Sequence, residues 1–270
     1  MKYASRKYID LIQAVSSKWA SWDPPHPIKV GDYGTVDKDT GRFEKDGNIY
    51  DDPAIAALSL DHQPETLAPD EKIIFTSQTE NSSEFKLSPE VKIPGIAEAS
   101  IKGQWKFKTG KRGALLAMAQ PRSSKFSSEN VLLKRLVDRP ELKDKYLVTE
   151  TVSCHAYSLY LSSKSDDTVS LALVATTPIP VAPLVSAGGE VGGSWWSKTG
   201  SGVFRHGCAP QGTYSFTPLF VLKQVRKKSG FPYREHAEED NSDDWETVNT
   251  PWWPLDEDGE EEVFEDTVFE

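Results

Sequence analysis

Apolar and polar positions change period several times along this chain. Over residues 5 to 22, Tyr8, Leu11, Ile12, Val15, Trp19 and Trp22 recur at three- and four-residue spacing, with Asp10, Gln13, Ser17 and Lys18 opposite. That pattern predicts an amphipathic helix, closed by Pro24, Pro25 and Pro27, that docks on a sheet or lies on a lipid surface. A glycine-punctuated strand region follows at 28 to 50, where Asp46-Gly47 suits a two-residue hairpin turn. Asp51-Asp52-Pro53 then has the composition of a helix start before "AIAALSL".

From Glu71 the pattern turns to strands. In "ASIKGQWKFK", residues 99 to 108, Ala99, Ile101, Gly103, Trp105 and Phe107 alternate with Ser100, Lys102, Gln104, Lys106 and Lys108. Period two gives a two-faced strand, here with a basic polar face that Lys111 and Arg112 extend. "EKIIFTSQTE" is its candidate partner. Helical spacing returns at "SSENVLLKRLVDRPELKDK", with Leu132, Leu133, Leu136 and Val137 as the apolar stripe. A long strand pattern then runs from Leu147 to Leu161, pauses at "SSKSDD" and resumes from Thr168 to Ala175. Ordinary strands run about five or six residues, so this stretch predicts an unusually long hairpin. Residues 178 to 213 read as loops or glycine-interrupted strands, and "TYSFTPLFVLKQVRKK" as a last strand with a basic end.

Charge divides the chain in two. The net charge is -10, but residues 231 to 270 hold 16 acidic residues and one basic one, which leaves the body at +5. The acidic segment also carries Trp245, Trp252, Trp253 and Phe264, whereas purely solvating tails have few aromatics. These side chains are expected to dock the tail. The pattern predicts two units: residues 1 to 230 as a folded body, and 231 to 270 as an acidic, Trp-containing tail that either lies across its basic face or is merely disordered.

Composition narrows the chemistry. A 270-residue chain with 37% hydrophobic residues and eight Trp can bury a core. No run of 18 apolar residues appears, so no spanning helix is encoded, and the N-terminus lacks signal-peptide character, which predicts cytosolic synthesis. Cys154 and Cys208 form no CxxC pair, so neither a zinc site nor a disulfide scaffold is expected. Asp37, Asp39 and Gly41 hint at a calcium loop, but Arg42 and Asn48 occupy the positions that need Gly and Glu. His206 and Cys208 share a strand face without an orienting group, and no phosphate loop, HExxH or GxSxG occurs. The expectation is a non-enzyme without cofactor or metal. The tail's charge also disfavours nucleic acid.

Several of these segments together carry a resemblance. "YLVTETVSCHAYSLYL", preceded by "VLLKRLVDRPELKDK" and followed by "GTYSFTPLFVLKQV", resembles the pore-forming domain of the gasdermin family. The opening, "ASRKYIDLI" through "IKVGDYGTVDKDTGRFEKDGNIYDD", is similar to the short fungal members that act in regulated cell death during heterokaryon incompatibility. The resemblance covers about residues 3 to 228. It implies an α+β fold, a twisted, mainly antiparallel sheet with flanking helices. It also implies binding to acidic phospholipids such as cardiolipin, self-oligomerisation into a membrane β-barrel, and permeabilisation leading to cell death. The location it implies is cytoplasmic when inactive and plasma membrane when active.

On this reading Arg6, Lys7, Lys18, Lys102, Lys106, Lys108, Lys111, Arg112, Lys223, Arg226, Lys227 and Lys228 contact lipid. Val148, Val152, Ala156, Leu159, Leu161, Val169, Leu171 and Leu173 belong to an inserting hairpin. A second hairpin falls within 71 to 108. Animal gasdermins carry a large helical inhibitory domain, where this chain has only the acidic tail. Activation then falls either to a protease or to a related allelic chain. The competing expectation is a soluble lipid- or protein-binding module that does not insert.

Overall fold

Strands dominate the fold, and every pairing among the described residues is antiparallel. The computed structural model describes residues 3–83, 99–165, 167–175, 193–226 and 244–262. Helix α1 (Ala4–Ser16) is followed by β1 (Trp19–Ala20), β2 (Asp32–Val36) and β3 (Phe43–Asn48). After the one-turn helix α2 (Ala56–Ser59) come β4 (Pro64–Thr66), β5 (Lys72–Ser77), β6 (Thr79–Ser83), β7 (Ile101–Phe107), β8 (Ala114–Ala119) and β9 (Arg122–Phe126). Helix α3 (Glu129–Leu136) and a 3-10 turn (Pro140–Leu142) lead to β10 (Tyr146–Cys154), β11 (Ala156–Leu161) and β12 (Thr168–Ala175). The last described strands are β13 (Gly193–Lys198), β14 (Val203–Cys208), β15 (Phe216–Val225) and β16 (Trp245–Thr247).

Sheet A is built on the order β1-β15-β10-β2-β3, with β9 also on β10, β4 on β9, and β16 on β15. Sheet B has the order β14-β11-β8-β5, and sheet C the order β13-β12-β7-β6. The last two orders correspond strand for strand. Each strand of sheet B continues along the chain into the strand at the same place in sheet C, so B and C are two halves of one four-stranded sheet folded along a line across its middle. Four connections cross that line: Gln78, 108–113, the stretch after Leu161, and 199–202. At the first, Gln78 adopts a left-handed φ of 58°, which turns the strand from one half into the other.

Apolar patterning explains the crease. Ile101, Trp105, Phe107, Val169, Leu171, Leu173 and Trp195 of sheet C pack on Leu115, Ala117, Ala119, Ala156 and Tyr160 of sheet B. Burying each large aliphatic or aromatic side chain is worth about 1.5–3 kcal/mol, so the bend is held by a sizeable apolar term. The other face of sheet B is apolar too. Ala114, Leu116, Met118, Leu159 and Leu161 meet Tyr8, Ile9 and Ile12 of α1 together with Val148 and Val152 of sheet A. A third cluster lies around α3, where Leu132, Leu133 and Leu136 pack with Leu142, Leu147 and Trp245.

Several expectations change here. The N-terminal helix stops at Ser16 rather than near Pro24, because Ser17 turns left-handed (φ 56°) and Trp19 pairs with Phe220 in sheet A. Asp46-Gly47 is not the turn. The β2–β3 connection is 37–42, and Asp46 is the extra residue of a bulge, since Tyr33 pairs with Gly47 and Gly34 with Lys45. Gly47 is needed there because a Cβ would lie 2.5 Å from the Tyr33 hydroxyl, which donates to Asp52 at 2.6 Å. The segment with a calcium-loop-like start is that connection: Asp37 accepts from the Asp39 amide and the Thr40 hydroxyl, both at 2.8 Å.

The long hairpin is also rearranged. Its first arm breaks at His155, where irregular pairing near Cys154 bends the chain out of sheet A and into sheet B. The two arms do not pair with one another: β11 lies between β8 and β14, and β12 between β7 and β13. Val148 and Val152 therefore belong to sheet A and Ala156, Leu159 and Leu161 to sheet B, while Val169, Leu171 and Leu173 lie in sheet C. In the earlier region β6 does pair with β7, but β5 pairs with β8. Within 178 to 213, residues 193–198 and 203–208 are strands.

Candidate functional site

Helix α1 is covered on two sides. Tyr8, Ile9 and Ile12 face the sheets, and burial pushes the Tyr8 hydroxyl well above its ordinary pKa. The side carrying Asp10 and Gln13 is covered by the acidic tail. β16 first adds to the edge of β15, pairing Trp245 with Val225, and the Trp245 indole N–H donates to the Leu133 carbonyl at 2.9 Å. Val248 then donates its amide to Leu222 at 3.0 Å and accepts from the Gln13 side chain at 3.3 Å.

Trp252 is the next anchor. Its indole N–H donates to Asp10 at 2.9 Å, and its ring stands edge-on to Trp19 with centroids 5.8 Å apart. Gly41 makes room for it, because a Cβ there would lie 2.8 Å from the indole and 2.4 Å from Ile9. Trp253, expected to dock, is 66% exposed. Of the two neighbours, only Trp252 is buried and bonded to α1.

Past Leu255 the tail makes a tight turn. The Asp256 carboxylate accepts from the amides of Asp258 at 2.7 Å and Glu260 at 2.9 Å, and Gly259 takes φ 83°. Around this turn the tail's carboxylates meet the body's cations. Arg6 pairs with Glu261 at 3.3 Å and donates to the Gly259 carbonyl at 3.4 Å. Lys7 lies 3.8 Å from Glu257 and donates to the Leu255 carbonyl at 3.2 Å. Arg112 donates its backbone amide to Glu257 at 2.7 Å and its Nε to the Glu257 carbonyl, with Asp258 at 3.6 Å. Lys164 pairs with Asp258 at 2.5 Å. The side chains of Arg6, Lys7 and Arg112 are thereby only 5%, 10% and 9% exposed.

The basic residues picked from the sequence fall into four groups. Arg6, Lys7 and Arg112 lie under the tail. Lys18, Lys223 and Arg226 are paired within the body and β16, with Glu150 at 2.8 Å, Glu129 at 2.6 Å and Glu246 at 3.7 Å. Lys102 and Lys106 stand on the outer face of β7, with Lys106 3.4 Å from Glu80, and Lys108 and Lys111 are exposed at the fold line. Lys227, Lys228 and Phe264 lie outside the described residues. Lys164 carries no signal in the sequence, because it sits in a short polar connector with no periodicity around it. The turn 256–259 was legible only as part of an acidic run, although its Asp-x-x-Gly spacing is a turn signal.

Protonation sets the conditions under which the turn holds. Lys164 keeps the Asp258 carboxyl below its ordinary pKa, and the Glu260 amide does the same for Asp256. Asp10 moves the other way: burial raises it against the pull of Trp252, Thr250, Lys7 and Arg6. A depressed carboxyl stabilises the docked tail above its ordinary pKa and loses that contribution as pH falls through the lower docked value. Asp10, being raised, favours docking most when protonated, so its share fades as pH rises through its docked value. Acid release is therefore expected only below about pH 4, as Asp256 and Asp258 take up protons. The Trp252 indole N–H resonance should report it, with the Trp195 indole, bonded to the Gly207 carbonyl at 3.2 Å, as the reference within the body. Selective loss of the Trp252 signal between pH 5 and 7 would contradict this assignment.

His206 and Cys208 do share the face of β14, opposite Ser158 and Ala156. Burial lowers the His206 pKa and raises the Cys208 thiol, so the pair is held neutral rather than as thiolate and imidazolium. Among the described residues no helix is long and apolar enough to cross a membrane, and no cluster of three or more His, Cys, Asp or Glu could hold a metal ion. Compared with known proteins, the chain matches no family model and no curated protein sequence.

Proposed function

We propose that this chain is a gasdermin-like pore-former, held inactive by its acidic tail, that binds acidic phospholipid, oligomerises and inserts β-hairpins as part of a closed barrel. The observation that carries the reading is the folded sheet. Its sheet C half is two-faced: Ile101, Trp105, Phe107, Val169, Leu171 and Leu173 point into the crease, while Lys102, Gln104 and Lys106 point out. A strand of a transmembrane barrel needs that alternation, one face to lipid and one to water, and it can enter only with its backbone paired. Swinging sheet C away from sheet B exposes the apolar face, and lipid then replaces sheet B as its partner.

The hairpins of this proposal differ from those read along the sequence. The first comprises 72–83 with 101–119, and the second 156–175 with 193–208. The spanning parts lie in sheet C. β7 has seven residues, short of the 9 to 11 or so that a spanning strand needs, and straightening the fold line lengthens it through 108–113. Cations support the lipid step: Lys102, Lys106, Lys108 and Lys111 lie at the surface, and Arg6, Lys7 and Arg112 become available when the tail leaves. Each base near an anionic surface is worth about 1 kcal/mol.

Dye release from vesicles tests the reading. A site-specific protease sequence placed after Gly230 allows the tail to be cut after the full chain has folded. Cut protein is expected to empty cardiolipin vesicles and leave neutral vesicles intact, with the uncut protein at least about tenfold slower, in line with loss of a few kcal/mol of tail contacts. Vesicle binding without release by cut protein, even after mixing with a related allelic chain, would replace the pore with a non-inserting lipid-binding module. Release by uncut protein only in that mixture would assign the trigger to the partner chain.

A further inference from the structure

We infer that the tail's turn, Asp256–Gly259, is a staple across the fold line of the sheet: Glu257 and Asp258 together hold the bends of both hairpins, a task separate from covering the cations of α1. Its consequence for permeabilisation rests on the function proposed above, but the staple itself is defined without a membrane.

The two central connections across the fold line belong to different hairpins and are tied to one another. Gly110 donates its amide to the Lys164 carbonyl at 2.8 Å, Ser162 donates to the Gly113 carbonyl at 2.8 Å, and Gly113 donates to the Ser162 hydroxyl at 2.7 Å. The tail's turn sits on this knot. Glu257 takes the Arg112 amide from the first connection, and Asp258 reaches Lys164 on the second at 2.5 Å, with Arg112 at 3.6 Å. Arg112 in turn donates from its guanidinium to the Ser162 carbonyl at 3.4 Å, closing a ring of contacts through tail, first bend and second bend.

The Arg112 amide is the informative group. If 108–113 straightened into continuous strand, each amide there would need a carbonyl of a neighbouring strand, because a backbone donor in a ladder is not left unpaired. In the bent state the Glu257 carboxylate takes that donor. The staple therefore competes directly with the ladder of the straightened sheet, which coverage of surface charge alone would not do. The second bend is prepared in the same sense. The buried Asp167 carboxylate accepts from the Tyr160 hydroxyl at 2.7 Å and the Ser163 amide at 3.0 Å, and Gly200 fits only because a Cβ would fall on that carboxylate.

Amide hydrogen exchange on the full chain distinguishes stapling from covering. Glu257→Ala with Asp258→Ala leaves the Trp245, Val248 and Trp252 contacts in place. Exchange at Gly110, Arg112, Gly113 and Ser162 is expected to rise about tenfold or more, while the Val248 amide, which reports docking of the rest of the tail, stays unchanged. Unchanged exchange at the fold line would overturn the staple, and so would an equal rise at Val248, which would make the turn merely part of general docking. Lys164→Met is a second, independent variant, expected to raise exchange at Gly110 and Ser162 in particular. No rise there would also count against the staple. Dye release on cardiolipin vesicles is read in parallel. If the exchange result holds while even tail-cut protein releases nothing, the staple stands and the pore-forming function fails.

Discussion

Trp252→Ala is expected to release most of the tail from α1 while leaving the body folded. The indole is 8% exposed, wedged between Gly41, Ile9 and the edge of Trp19, and the Arg6 guanidinium lies 5.4 Å from its ring centre. Truncating a buried Trp typically costs about 3–5 kcal/mol, and here the loss falls on docking because the partner surface on α1 stays intact. A cost of that size makes opening about 10² to 5 × 10³ times more frequent, read as faster exchange at the Val248 amide. The neighbour supplies the control. Trp253 is 66% exposed, so Trp253→Ala should change docking by no more than about 0.5 kcal/mol. Equal effects of the two substitutions would remove Trp252 as the anchor. Release of the tail also uncovers Asp10, and because burial is the largest cause of its raised pKa, its carboxyl should titrate closer to its ordinary value in the Trp252→Ala protein.

Leu115→Ala and Leu116→Ala are expected to loosen different layers, although the residues are adjacent. Both are fully buried in β8. Leu115 points into the crease between sheets B and C, and Leu116 toward α1. Each truncation should cost about 2–5 kcal/mol, depending on how far the surroundings collapse into the space left. The difference lies in where the cost appears. Leu115→Ala should accelerate exchange in β12, and Leu116→Ala in α1 around Ile9 and Ile12. If both substitutions loosen both layers alike, sheet B does not separate two packing units, and the proposal that sheet C can swing away on its own loses its physical basis. Under the proposed function the first variant should also release dye faster once the tail is cut, since the crease it weakens must open.

Sequence pattern alone was enough where an element has one face in water. The strand β7 was legible residue by residue because Ile101, Trp105 and Phe107 are buried and Lys102, Lys106 and Lys108 are not. The helix α3 was legible for the same kind of reason, with Leu132, Leu133 and Leu136 buried on one side. The division of charge between body and tail is likewise a property of composition, as is the presence of aromatic residues in that tail. Alternation disappears where both faces are covered. In "ALLAMA" and "AYSLYL" every residue is buried, because sheet B lies between α1 and sheet C.

Partners distant in the chain were set by tertiary packing. No local signal at His155 marks the passage from sheet A to sheet B, and none tells that β12 continues β11 across a fold line instead of returning beside it. Strand pairing joins residues far apart in the chain, and the apolar faces that select it exist only once several strands are together. Trp252 and Trp253 illustrate the same limit at the tail. Both are aromatic residues in an acidic run, and only the path of the backbone over Gly41 decides which is an anchor and which faces water. Lys164 is the clearest case. It is one lysine in a polar connector, and it gains its partner, Asp258, because two bends of a folded sheet and the tail's turn meet at one place.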